Sequence, residues 1–124
     1  FESVEIVESH HPEKVDAPSG TSRFTAEKIA EARQGHAPSP DATDPRDLGA
    51  RGTSVNGVPI HSVRLRGLVA HQEVVFGSTG ETLTIAHDSL SRDSFMQGVL
   101  IAIKEMSHID GVVVGLENVL PLGS

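Results

Sequence analysis

The chain contains no cysteine, tryptophan or tyrosine, and only four phenylalanines among its 124 residues. The first absence removes disulfides, thiolate metal sites and cysteine nucleophiles, and is compatible with a reducing cytoplasm. Ten Lys and Arg stand against seventeen Asp and Glu, a net charge of −7 with no basic run, and the poverty in aromatics points the same way: away from nucleic acid. An anionic ligand therefore needs a locally positive pocket. Long apolar runs are missing too. Val99 to Ile103 and Val112 to Val114 are too short to span a bilayer and no signal peptide opens the chain, so it reads as soluble and cytoplasmic, with no membrane partner. The phosphate-loop and dinucleotide fingerprints are absent as well. Gly77 to Gly80 joins two strands and Gly49-Ala50-Arg51-Gly52 lies in a loop, so no nucleotide cofactor is expected on this chain.

The length suits one main domain with a real core. Phe1 to Glu8 is rich in β-branched residues and reads as a strand with one better-buried side, carrying Val4 and Ile6 in phase with Glu2 and Glu8. Pro12 ends it. Ser19 is a plausible N-cap for a helix running to about Gln34 and closed by Gly35, with Ala26, Ile29, Ala30 and Arg33 on one side. Gln34 to Gly57 is loaded with Gly, Pro, Asp, Ser and Ala and reads as a long loop. Strands follow at Pro59 to Arg66, Val69 to Phe76 and Glu81 to His87, as an antiparallel meander. Ser94 to Ser107 has helical spacing with Ser94 able to cap it, and the apolar tail from Val112 to Ser124 wants a partner surface. The expected fold is α+β, a mainly antiparallel or mixed four-stranded sheet with helices on one face, and strands apolar enough to suggest pairing or packing between subunits.

The densest chemistry lies in Ser9 to Ser22. His10, His11 and Lys14 can carry protons or hold an anion, and Ser19, Gly20 and Thr21 offer backbone N–H groups and hydroxyls where a helix begins. Each has a plainer reading: a loop histidine, a helix cap. Asp16 either orients Lys14 or makes the turn before Pro18. Adjacent histidines on an extended segment point to opposite sides and no ligand spacing supports a metal, so none is expected. A Ser-Lys hydrolase pair of Ser19 and Lys14 lacks the S-x-x-K spacing. His61, His71 and His87 lie on presumed strands and read as surface or interface residues. Arg92 is either a salt-bridging surface residue or a second anion clamp.

The run H-H-P-E-K-V-D-A-P-S-G-T-S, His10 to Ser22, closely resembles the signature of the 4-hydroxy-tetrahydrodipicolinate (dihydrodipicolinate) reductases. The similarity continues through V-R-L-R-G-L-V-A-H-Q-E-V-V-F-G (Val63 to Gly77), G-E-T-L-T-I-A-H-D-S (Gly80 to Ser89) and S-R-D-S-F (Ser91 to Phe95), in a form like actinobacterial members. Ser9, Glu13 and Ala70-His71-Gln72-Glu73 depart from the commonest pattern, the last leaving any role for His71 open. The resemblance implies the carboxy-terminal domain of a reductase of lysine and diaminopimelate synthesis. NADH or NADPH would be held by an amino-terminal Rossmann domain, and the sheet would build a homotetramer. It implies residues 1–93 as the substrate-binding and tetramerisation domain, with 34–57 as its long loop, and 94–124 as a helix and tail packing on the nucleotide domain. It further implies His10 and Lys14 as catalytic proton carriers, and His11, Ser19, Gly20, Thr21 and Arg92 as ligands of a small dicarboxylate substrate. A chain without its cofactor domain is expected to be inactive alone. The alternative is a non-catalytic dicarboxylate-binding or assembly module.

Overall fold

In the computed structural model, residues 1–120 are described, and the chain divides into two compact units, Phe1–Ser89 and Leu90–Ser124. The first is a five-stranded mixed sheet with one α-helix. Its strands are β1 (Ser3–His10), β2 (Thr53–Val55), β3 (Val58–Arg64), β4 (Ala70–Ser78) and β5 (Glu81–Ser89), in the order β2-β3-β1-β4-β5, and α1 spans Gly20–Ala32. β1 runs parallel to β3 and antiparallel to β4; the other pairs are antiparallel.

β1 alternates strictly, with Val4, Ile6 and Glu8 buried and the residues between them half-buried. That period of two turns Val4, Ile6, Glu8 and His10 to one face, opposite Ile60, Ser62 and Arg64 of β3 and Ala70, Gln72, Val74 and Phe76 of β4. On this face Val4, Ile6, Val58, Ile60 and Val74 form the core with Ala26 of α1, flanked by Ile29, Ala30, Val55 and Phe76. Ser19 caps α1 in extended conformation, its hydroxyl accepting from the Ser22 N–H at 3.2 Å. At the other end Arg33 caps the helix and donates to the Phe1 and Glu2 carbonyls at 2.7 and 2.9 Å, tying α1 to the strand start.

Three expectations about the sheet are corrected. The sheet has five strands, not four. The extra one, β2, lies inside the segment read as the loop 34–57, which also contains a 3-10 turn, Pro45–Arg51. Three residues are too few to show alternation, and β2 exists because it pairs with β3. Gly52 permits the close approach: its φ is +73°, and a Cβ there would collide with the Ile60 carbonyl oxygen. The last three strands are also not a meander, since β1 sits between β3 and β4 and only β4 and β5 form a hairpin. Finally, β1 extends to His10, so that histidine ends the strand instead of following it.

The second unit holds a 3-10 turn, Arg92–Phe95, followed by α2, Met96–Glu105, and two further 3-10 turns, Met106–His108 and Leu116–Asn118. Ser94 does not cap α2: the N-cap is Phe95, without a side-chain bond, and Ser91 caps the preceding turn through the Asp93 N–H. Val112, Val113 and Val114 of the tail are exposed, and Leu122 lies outside the described residues. No helix among the described residues is long and apolar enough to cross a membrane.

Candidate active site

β1 delivers His10 to the sheet end where residues 11–19 turn into α1. His10, Ser19 and Thr21 line one cavity of about 70 Å³, together with Ala70, His71, Gln72 and His87. At roughly 30 Å³ per water, this holds about two waters, the space of a carboxylate group. Three residues expected from the single stretch 9–22 thus meet His71 of β4 and His87 of β5, which sequence spacing alone assigns to the surface or an interface. The register explains His87, because Glu8, Gln72 and His87 are successive cross-strand neighbours on one face.

Beneath the cavity is a network that the sequence reading did not find. Glu8 has 0% exposure. Arg64 clamps it with two bonds of 2.9 Å, the Ser19 N–H donates to it at 3.2 Å, and His10 Nδ1 lies 2.5 Å from its Oε2. Burial works to raise the Glu8 pKa, but hydrogen bonds from Arg64, Ser62 and His10 outweigh it and hold the carboxyl below the ordinary glutamate value. Arg64 also donates to the Val63 and Asp16 carbonyls at 2.8 and 2.7 Å, so the same guanidinium secures the 11–19 turn. A usable signal was present. Alternation puts Glu8 in phase with Val4 and Ile6, and a charge in the buried phase of a strand demands a partner.

The other expected residues are arranged differently. The Lys14 ammonium pairs with Asp16 at 2.8 Å and His11 Nδ1 faces Glu13 at 3.2 Å; neither Lys14 nor His11 lines the cavity. Of the two readings of Asp16, its contact with Lys14 is observed. Its carboxyl is held below the ordinary aspartate range chiefly by Lys14, and also by its own N–H and that of Gly20. Asp16 therefore occupies two of the groups, Lys14 and the helix N-terminus, that an anionic ligand would use. Gly20 opens α1 with nothing within 4 Å of where a Cβ would stand. The Ser19 hydroxyl donates to Ser22 Oγ at 2.9 Å, and Ser22 in turn to Gln72 at 2.7 Å. With Lys14 committed to Asp16 and Ser19 to Ser22, the Ser-Lys hydrolase pair is not formed. Arg92 begins the first 3-10 turn of the second unit.

Residues 1–120 match the family described as dihydrodipicolinate reductase, C-terminus. The 4-hydroxy-tetrahydrodipicolinate reductase of Mycolicibacterium smegmatis is 62% identical over 122 residues, which cover 98% of this chain and 50% of that protein. The enzyme of the same name from Mycobacterium ulcerans is 59% identical with the same coverage. The chain thus spans about half the length of the curated relatives it matches. Among solved structures, a dipicolinate-bound dihydrodipicolinate reductase from Paenisporosarcina sp. TG-14 superposes with a TM-score of 0.80 at 50% identity, covering 97% of this chain and 45% of that one. With this sequence, this sheet and these matches, the chain belongs to the dihydrodipicolinate reductase family and corresponds to its C-terminal domain.

Proposed function

We propose that this chain is the substrate-binding and oligomerisation domain of a reductase that converts 4-hydroxy-tetrahydrodipicolinate to tetrahydrodipicolinate with NADH or NADPH in lysine and diaminopimelate synthesis. The observation that carries this is the convergence of His10, Ser19 and Thr21 on one carboxylate-sized cavity at the start of α1. The dipicolinate bound to the related reductase is a planar dicarboxylate of the right class.

In this reading the Gly20 and Thr21 N–H groups and the Thr21 hydroxyl hold one substrate carboxylate, Ser19 keeps the turn capped, and His11 binds the ligand. Arg92 is a further anion contact. Lys14 exchanges Asp16 for the ligand, bringing a cation to a dianion. His10 carries the proton that completes the reduced ring. The dinucleotide supplies the hydride. This chain's own segments do not fit a dinucleotide, since Gly80 sits in the β4–β5 hairpin turn and Gly49 to Gly52 belong to a 3-10 turn and its cap. The cofactor belongs to a Rossmann half of the longer protein, and residues 94–124 are assigned to packing on that half. The sheet face opposite α1, which carries Val7 and Val75, is the surface for a homotetramer. A cytoplasmic location follows from the pathway.

Calorimetric titration with pyridine-2,6-dicarboxylate tests this. Saturable binding that is lost in Lys14→Ala is expected; no binding, even to the longer protein with its cofactor, overturns the assignment. The pairing of Lys14 with Asp16 favours one alternative, a non-catalytic dicarboxylate-binding or assembly module. Dipicolinate binding without dihydropyridine oxidation by the longer protein would select it.

A further inference from the structure

Glu8 is the only fully buried charged group among the described residues. Neutralising Arg64 would be reason enough for a carboxylate here, but Glu8 does more. Its Oε1 also takes the Ser19 N–H, and its Oε2 meets His10 Nδ1 at 2.5 Å. Both oxygens accept from the Arg64 guanidinium, which has no acceptor of its own, so the carboxyl is ionised and has no hydrogen to give. The hydrogen between Glu8 and His10 must then sit on Nδ1. That leaves Nε2 with the lone pair in the neutral ring and with the second proton in the imidazolium.

We propose that Glu8 is the positioning residue of this site, clamping the His10 ring as its Nδ1–H tautomer so that Nε2 is the atom that exchanges a proton with a ligand in the cavity. This rests on the proton-carrying role given to His10 above. In the step itself Nε2 gives its proton to the ligand carbon and recovers its lone pair, Nδ1 keeps its hydrogen, and Glu8 stays ionised. The local charge supports the direction. Glu8 and Arg64 cancel, so a protonated His10 leaves one net positive charge facing an anionic ligand.

Nitrogen-15 NMR of histidine-labelled protein decides it, with His10 assigned by the signal that vanishes in His10→Gln. In the wild type above the histidine titration, Nδ1 is expected to be protonated and Nε2 bare. In Glu8→Gln the ring moves toward the Nε2–H form that a free histidine side chain favours. In the longer protein the same variant lowers kcat at least roughly tenfold while KM stays within about threefold, the mark of a group acting on proton transfer and not on binding. Should Glu8→Gln fail to fold, Glu8→Asp keeps the charge for Arg64, draws the oxygens back from His10, and is read the same way. An Nε2–H ring in the wild type overturns the proposal, as does unchanged kcat in a variant whose tautomer has shifted. The tautomer is measured without ligand, so it stands or falls separately from dipicolinate binding, whose absence sinks the functional reading instead.

Discussion

Glu5 and Glu8 lie three residues apart on β1, on opposite faces of the sheet, and each is held by one arginine and one histidine. Glu5 takes two bonds from Arg51 and lies 2.6 Å from His61 Nε2; Glu8 has Arg64 and His10. The inventory is the same and the setting is not. The Glu5 side chain is 36% exposed, while that of Glu8 is sealed at 0%. Its partner Arg51 also reaches Asp41, so the Glu5 cluster ties the 39–52 segment down onto the sheet. The Glu8 cluster instead joins the end of β1, the cap of α1 and the wall of the cavity. A carboxylate with an arginine and a histidine is therefore not a site in itself. Enclosure, and a helix start beside it, make the difference.

Removing each arginine separates the two clusters most strongly. Arg64→Met strands a buried carboxylate and is expected to cost about 3–5 kcal/mol, read from urea unfolding. Arg51→Met leaves a charge that water can reach and is expected to lower stability far less than Arg64→Met. Equal losses would show that the two settings do not differ in effective dielectric.

In activity the expected ranking is similar. Lys14→Ala and His10→Ala should each lower kcat of the longer protein roughly 10²-fold. His61→Ala, on the opposite face, should leave steady-state kinetics essentially unchanged, and a comparable loss there would dissolve the distinction between the clusters.

Acid acts on both clusters. Glu8 and Glu5 both have lowered pKa values, burial opposing the shift and hydrogen bonds from Arg64, and from Arg51 and His61, prevailing. A depressed carboxylate stabilises the fold fully above its unfolded value, near 4.5, and loses that contribution as pH falls through the folded value. Asp41, lowered to about 2 chiefly by the Thr43 hydroxyl, the Thr43 N–H and Arg51, contributes with the same sign. Urea midpoints between pH 7 and pH 3 should therefore fall less steeply in Glu8→Gln than in the wild type, with Glu5→Gln in between. Parallel curves for all three proteins would refute the assignment. The smallest expected effect is that of Thr21→Val, a rise of a few-fold in KM with kcat nearly unchanged, because the backbone N–H groups remain.

Part of this molecule is legible without coordinates. The Ser19 cap, the side of α1 bearing Ala26, Ile29 and Ala30, and the β4–β5 hairpin are local patterns, and the structure has them. His10, Ser19 and Thr21 were readable as one site because they lie within twelve consecutive residues and flank a single turn. Arg64, Gln72, His71 and His87 were not, because each reaches the cavity or its underlying network from a different point on β3, β4 or β5.

The family, the β1 alternation and the capped helix start are thus written in residues close together along the chain. That β1 lies between β3 and β4, that three residues at Thr53–Val55 become a strand, and that Glu8 meets Arg64 instead of water emerge only on folding. The physical reason is that periodicity assigns a side chain to a face, whereas the partner on that face is chosen by strand pairing. That choice is made over more than fifty residues of chain, by burying Val4, Ile6, Ile60 and Val74 together.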